Sequence, residues 1–377
     1  MRPFLSQLAL LVLSTLTVYL LVLGVTLICV PPQRQLSGLD SGRAFRTLFA
    51  TEPKYVFLNR SMLNSTQNKI LLLGASNVVV GFQQDQLQHL IRSAEVNNLS
   101  VGGSNVTQLR QIVDLVHEIQ SVEARRHNTF VIGVWYGLFA DDRQRWTTPD
   151  RHAGDTDIDI ERYRYGFFRR TDSGPVAVLP PQWLDMGVRV IHPYLVIDKF
   201  ARDLTKTVRQ LVAGAPLVPG DAQLGERIVS EQDKLRYLAF WKEYMGSGEL
   251  SDRQFQTLAA LVNEIAAAGG HVVIVDMPIP RWHEQRSPYQ AEYRLRAQRL
   301  FSELGAHSDV SIVRLQEAGD DDEFSDEVHP RPAVAELWAQ QLAAVLNRRF
   351  GSDGAVIQKV VTDDSPRNAV SKATNGL

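Results

Sequence analysis

Apolar residues follow two rhythms along this chain. Short runs at Lys69–Leu73, Glu95–Leu99, Phe130–Val134, His271–Asp276 and Val310–Leu315 carry the apolar content of strands. Ile70 to Leu73 is unbroken, the signature of a strand covered on both faces in a parallel sheet. Between these runs apolar positions recur every three to four residues, as in Leu109, Ile112, Val113, Val116 and Ile119. Phe255, Leu258, Leu261, Val262 and Ile265 repeat the spacing, and so do Val334, Leu337, Trp338, Leu342, Val345 and Leu346. Each set is one apolar stripe on a helix. Further helices are expected after the first strand, near Gln232–Tyr244 and over Pro288–Leu304. Strands alternating with helices imply an α/β fold with three layers, a parallel sheet between two sets of helices.

Three stretches break the alternation. Phe4 to Val30 is uncharged and nearly all Leu, Val, Thr and Ala, and about 20 such residues cross a bilayer as a helix. No small-residue cleavage site follows, so residues 1–30 are read as a retained transmembrane anchor. Residues 31–67 hold Pro31-Pro32 and scattered Ser, Gly and Asn and read as a tether, with one short helix around 44–49. The α/β domain then spans 68–350, with an inserted cap at about 141–231. The cap is rich in Arg, Asp, Pro and Tyr and mixes cations with aromatics, a composition suited to a carbohydrate groove or to a small second core. After Phe350 the chain is polar, and residues 351–377 are expected to be disordered.

Composition narrows the class without naming a chemistry. The 377 residues are 44% hydrophobic with a formal charge of −2, which argues against a polyanion-binding chain, so nucleic acid is not an expected partner. The single cysteine, Cys29, lies in the apolar segment, leaving the folded region without a disulfide or thiolate metal site. The acidic run Asp320–Glu327 lacks calcium-loop spacing and reads as a solvated loop. No metal and no cofactor are expected.

Candidate chemistry gathers at strand exits. Gly74-Ala75-Ser76-Asn77 turns sharply at the end of the first strand, where nucleophiles and ligands sit in parallel sheets. Position 78 is valine, so the Gly-x-Ser-x-Gly elbow of α/β-hydrolases does not fit. Far downstream, Asp326-Glu-Val-His329-Pro330 precedes the last helix, and its spacing lets a carboxylate orient an imidazole on one short turn. Together these supply a nucleophile, a base and an orienting acid: Ser76, His329 and Asp326.

These two motifs resemble the first and last blocks of the SGNH (GDSL-like) hydrolase family. Asn98-Leu-Ser-Val-Gly-Gly-Ser-Asn105 is similar to the second block, and the resemblance assigns the oxyanion donors to the backbone of Ser76 and Gly103, with Gly102 as runner-up and Asn105 or Asn77 contributing. The third block departs. Gly133-Val-Trp-Tyr-Gly137 stands where the family has Gly-x-Asn-Asp, so Trp135 replaces an asparagine donor whose loss typically costs about 100 to 1,000-fold in rate. Trp135 is read either as an apolar wall for a sugar or as a core aromatic. Trp135, Tyr136, Arg281 and His283 are the candidate substrate contacts.

The resemblance implies an SGNH/flavodoxin-like sheet and a serine esterase or O-acyltransferase acting on acyl, chiefly acetyl, esters of a cell-envelope or exopolysaccharide. A membrane-bound acyltransferase is the implied protein partner. A fold that keeps the shape as a non-catalytic scaffold of a polysaccharide modification complex is the alternative. The resemblance also places the domain outside the inner membrane. Charge by itself points the other way, since Arg34, Arg43 and Arg46 flank the anchor on the domain side.

Overall fold

In the computed structural model the described residues are 2–29, 60–140, 163, 168–171, 174–194, 208, 229–245, 248–315 and 321–350. The expected helix near 44–49, most of the cap and the tail after residue 350 lie outside them.

The elements in chain order are α1 (Arg2–Cys29), α2 (Arg60–Leu63), β1 (Lys69–Leu73), α3 (Ser76–Gly81), α4 (Gln84–Leu90), β2 (Glu95–Asn98), α5 (Val106–Ile119), α6 (Val122–Arg126) and β3 (Asn128–Val134). Within the insertion stand β4 (Phe168–Thr171), β5 (Gly174–Ala177) and α7 (Pro181–Val190). Then follow α8 (Glu231–Met245), α9 (Asp252–Ala267), β6 (His271–Asp276), α10 (Arg281–Arg286), α11 (Gln290–Leu304), β7 (Val310–Arg314) and α12 (Pro332–Phe350).

Five strands form one sheet in the order β2-β1-β3-β6-β7. All four pairings are parallel. Strands β1 and β3 are buried at every position, as a central strand between two helical layers must be. The fold is therefore the expected three-layer α/β/α arrangement, and all strand exits lie at one edge of the sheet. In the insertion, β4 and β5 make a separate antiparallel hairpin.

Local chemistry explains where elements stop. β2 ends at Asn98, one residue before the apolar run does, because Asn98 Oδ1 accepts the N–H of Ser100 at 3.0 Å and turns the backbone out of the ladder. β3 starts earlier than its apolar run, at Asn128, whose amide donates to Gln120 Oε1 at 2.7 Å. Helix α5 opens with a capping box in which Asn105 and Gln108 satisfy each other's backbone N–H groups. Pro280 precedes α10, its fixed φ suiting a helix start.

The described end of the tether is packed. Leu63 is fully buried, its carbonyl accepts from Gln120 Nε2, and Asn64 Oδ1 accepts the N–H of Ser121. At the other end of the chain, α12 lies against α3 and α4. The loop just ahead of α12 is thereby held at the same sheet edge as the start of α3.

Candidate active site

Ser76 is the first residue of α3, at the exit of β1, and is half-buried. Its N–H has no acceptor within the helix. Gly74 makes the turn possible by close approach: a Cβ there would collide with the Val78 side chain and lie 3.1 Å from Gly133 O. The loop after β2 is pinned to the same turn, because Gly74 O accepts from Val101 N and Ser104 Oγ, both at 3.0 Å. Gly102 is thus brought beside the serine, the position its Cβ would take being 3.8 Å from Ser76 Cβ. Gly103, next along, occupies a left-handed conformation at φ 72° that glycine adopts without strain. The Gly102–Gly103 segment is thus held beside Ser76.

The acid–base pair is fully formed. Asp326 Oδ2 lies 2.6 Å from His329 Nδ1, while Asp326 Oδ1 accepts the N–H groups of Val328 at 3.0 Å and His329 at 2.8 Å. The turn closes on itself through Ser325 N to His329 O at 3.0 Å and an antiparallel bridge between Phe324 and Pro330. With its Nδ1 committed to the aspartate, the imidazole has Nε2 left for chemistry. The His329 side chain keeps 18% of its surface open.

Electrostatics follow from this geometry. Burial by itself would lower the His329 pKa, but the Asp326 hydrogen bond and the charges of Asp326 and Glu327 win and raise it above its ordinary value. For Asp326, burial works upward and is outweighed by the His329 contact and two backbone N–H bonds, so its pKa falls. Glu327, next in the chain, is pushed up to about 7 by burial and by the neighbouring Asp326 charge. Ser76 Oγ makes no hydrogen bond among the described residues, so the link to His329 Nε2 is not closed here; such links commonly tighten only with substrate.

Behind this turn sits an aromatic box. Trp135 is 3% exposed and packs edge-on against Trp241 at 4.7 Å and beside Tyr136 at 4.9 Å. His283 is fully buried, with Nδ1 2.7 Å from Glu327 O and Nε2 2.5 Å from Tyr136 OH. A carbonyl can only accept, so Nδ1 carries the proton and Tyr136 donates to Nε2. Burial lowers the His283 pKa to about 4, which keeps the ring neutral and this tautomer in place. His283 therefore braces the loop that carries Asp326 and His329.

The structure separates the four residues expected to touch substrate. Trp135, Tyr136 and His283 are enclosed, so a polymer outside cannot reach them, and Trp135 takes the place of a core aromatic. Arg281 is exposed and lines a cavity of about 350 Å³ at the exits of β6 and β7, together with Asp276, Tyr293, Arg294 and Arg314. The side chain of Asn105 is committed to the α5 cap, with its Oδ1 accepting from Gln108 N. Asn77 is buried, and its Nδ2 has no partner among the described residues. Among those residues no His, Cys, Asp or Glu cluster is arranged to hold a metal ion. Sequence reasoning passed over Glu327 and Trp241. Glu327 left a signal, a carboxylate between the two members of the pair, whereas Trp241 belongs to a helix whose apolar face is weakly marked.

No protein-family model matches the chain, and no curated protein matches it. Among solved structures it is similar to a Streptococcus pneumonia protein named for platelet activating factor, with TM-score 0.37 and 10% identity over 78% of this chain and 92% of that one. It is also similar to an acetylxylan esterase from Geobacillus stearothermophilus, with TM-score 0.36 and 12% identity over 76% and 95%. A carbohydrate esterase family 2 enzyme from Corynascus thermopiles, with its carbohydrate-binding domain, follows at TM-score 0.34 and 10% identity over 76% and 67%.

Proposed function

We propose that this chain is a membrane-anchored SGNH-type serine esterase or O-acyltransferase that acts, outside the inner membrane, on acetyl esters of a cell-envelope or exopolysaccharide. The observation that carries the reading is the Asp326–His329 pair, closed at 2.6 Å, on a turn held at the sheet edge where Ser76 begins α3. His329 Nε2 takes the proton of Ser76 Oγ as the oxygen attacks the ester carbonyl. The oxyanion is met by the N–H groups of Ser76 and the Gly102–Gly103 segment. His329 returns the proton to the departing alcohol, leaving an acyl-serine. Water or a sugar hydroxyl, deprotonated by the same imidazole, then takes the acyl group and restores Ser76. In the transfer direction a membrane-bound acyltransferase is the fitting partner.

One observation favours a second reading, a binding or scaffolding protein on the same fold. The family's asparagine donor is replaced by Trp135, which is enclosed among Tyr136, Trp241 and His283. Turnover of an aryl acetate and of an acetylated envelope glycan by the wild type and by Ser76→Ala separates the two. Turnover that vanishes in the variant supports the enzyme; equal rates, or none in either with glycan still retained, support the scaffold.

A further inference from the structure

The insertion carries an apolar surface that the proposed chemistry does not use. Among the described residues outside α1, half of the large apolar side chains left exposed fall between residues 176 and 194. In α7 they are Trp183, Met186 and Val190, exposed by 51%, 54% and 44%. Their i, i+3, i+7 spacing puts them on one helical face. Just before the helix, Val176, Val178 and Leu179 are exposed as well, and Tyr194 follows it. So concentrated a patch marks an interaction site in a folded protein.

Where the patch sits identifies its occupant. Every residue from Pro3 to Leu21 of α1 is exposed, and at about 1.5 Å per residue that stretch is about 28 Å long, close to the roughly 30 Å of a bilayer's hydrocarbon core. Val22 to Gly24, Thr26 and Leu27 are half-buried, while Val25 and Ile28 stay exposed, so beyond Leu21 only one side of α1 is shielded. Tyr19, just before this stretch, donates its hydroxyl to Val190 O at the end of α7. That bond holds the apolar face of α7 beside the carboxyl-terminal half of the anchor, where an amphipathic helix rich in Trp and Met can lie in the lipid interface. Arg169 pairs with Val176 across the hairpin and is exposed, as is Arg189 on α7. Both stand where a cation meets lipid phosphate while its stem lies along apolar surface.

We propose that α7 and the β4–β5 hairpin form a second membrane contact, lying in the bilayer interface beside the anchor and holding the domain against the lipid surface. This rests on the membrane-anchored reading of α1. A catalytic edge so restrained would be offered to polymer at the membrane and not to chains free in solution.

The test uses the full chain in phospholipid vesicles, with Cys29→Ala as background and an environment-sensitive fluorophore on cysteine introduced by Trp183→Cys, Met186→Cys or, as a control on the exposed face of α11, Leu295→Cys. The proposal expects blue-shifted emission at 183 and 186, strong quenching by phospholipid brominated near the headgroup, and little by aqueous iodide. The control should show the reverse. Labels at 183 and 186 that behave like 295 overturn the proposal, and labels shielded from both quenchers do too, since a protein then covers the patch. Carbonate extraction of the same vesicles keeps the two readings apart. A chain that washes off refutes the anchor and the proposal with it, whereas a retained chain with water-exposed labels refutes only the proposal.

Discussion

His329 can serve as a base only while its imidazole is neutral, and Asp326 holds its pKa above the ordinary value near 6.5. Activity should therefore fall as pH drops through that raised value. Asp326→Asn should move the acidic limb to lower pH and cost less turnover than His329→Ala; a pH–rate profile of kcat/KM checks both. The same pair makes a stability statement. Its His329 share is fully present below about pH 6.5 and is lost as pH rises through the folded pKa, while its Asp326 share is present above about pH 4 and is lost as pH falls. The stability gap between wild type and Asp326→Asn should thus be widest between about pH 4 and 6.5 and shrink toward pH 9, as read by urea melts. His283→Ala would leave Glu327 O unpaired inside the protein, at about 1–3 kcal/mol, and would remove one partner of Tyr136 OH. Turnover should fall with stability as the loop loosens, and denaturant titration beside kcat reads both.

At the scale of elements, the departure at the third block changes meaning once its packing is known. Trp135 closes a box with Tyr136, Trp241 and His283, so Trp135→Asn should not restore an oxyanion donor. It should cost about 3–5 kcal/mol, as loss of a large core aromatic does, and lower the esterase rate; a rise in hydrolysis would show that the side chain faces substrate after all. Gly74→Ala should destabilise by about 1–3 kcal/mol because Val78 and Gly133 O leave no room for a methyl. All five strands and the Asp-x-x-His turn were legible in the sequence because each is a local pattern: an apolar run, a glycine exit, a three-residue spacing. The box was not, since His283 and Trp241 lie far from Trp135 in the chain and meet it only through tertiary packing. Helix α10 is not among the expected helices, because its six residues are too few to show an apolar stripe.

For the whole molecule, the sheet brings three chemistry-bearing segments to one edge, the Ser76 turn, the glycine loop and the Asp326–His329 turn, with the enclosed aromatics behind them. In the proposed reading, helix α1 and the apolar face of α7 hold this edge at a lipid surface. Retention in the membrane pellet after alkaline carbonate is expected of the full chain, and release of a chain that lacks residues 1–30 would agree with α1 as the principal anchor. The central claim is that Ser76 is a nucleophile activated by His329. Intact-mass spectrometry after exposure to a fluorophosphonate reads it directly. One covalent adduct is predicted, mapping to Ser76, absent from Ser76→Ala and much slower to form in His329→Ala; a wild-type chain that stays unmodified, or an adduct on another residue, would contradict the account.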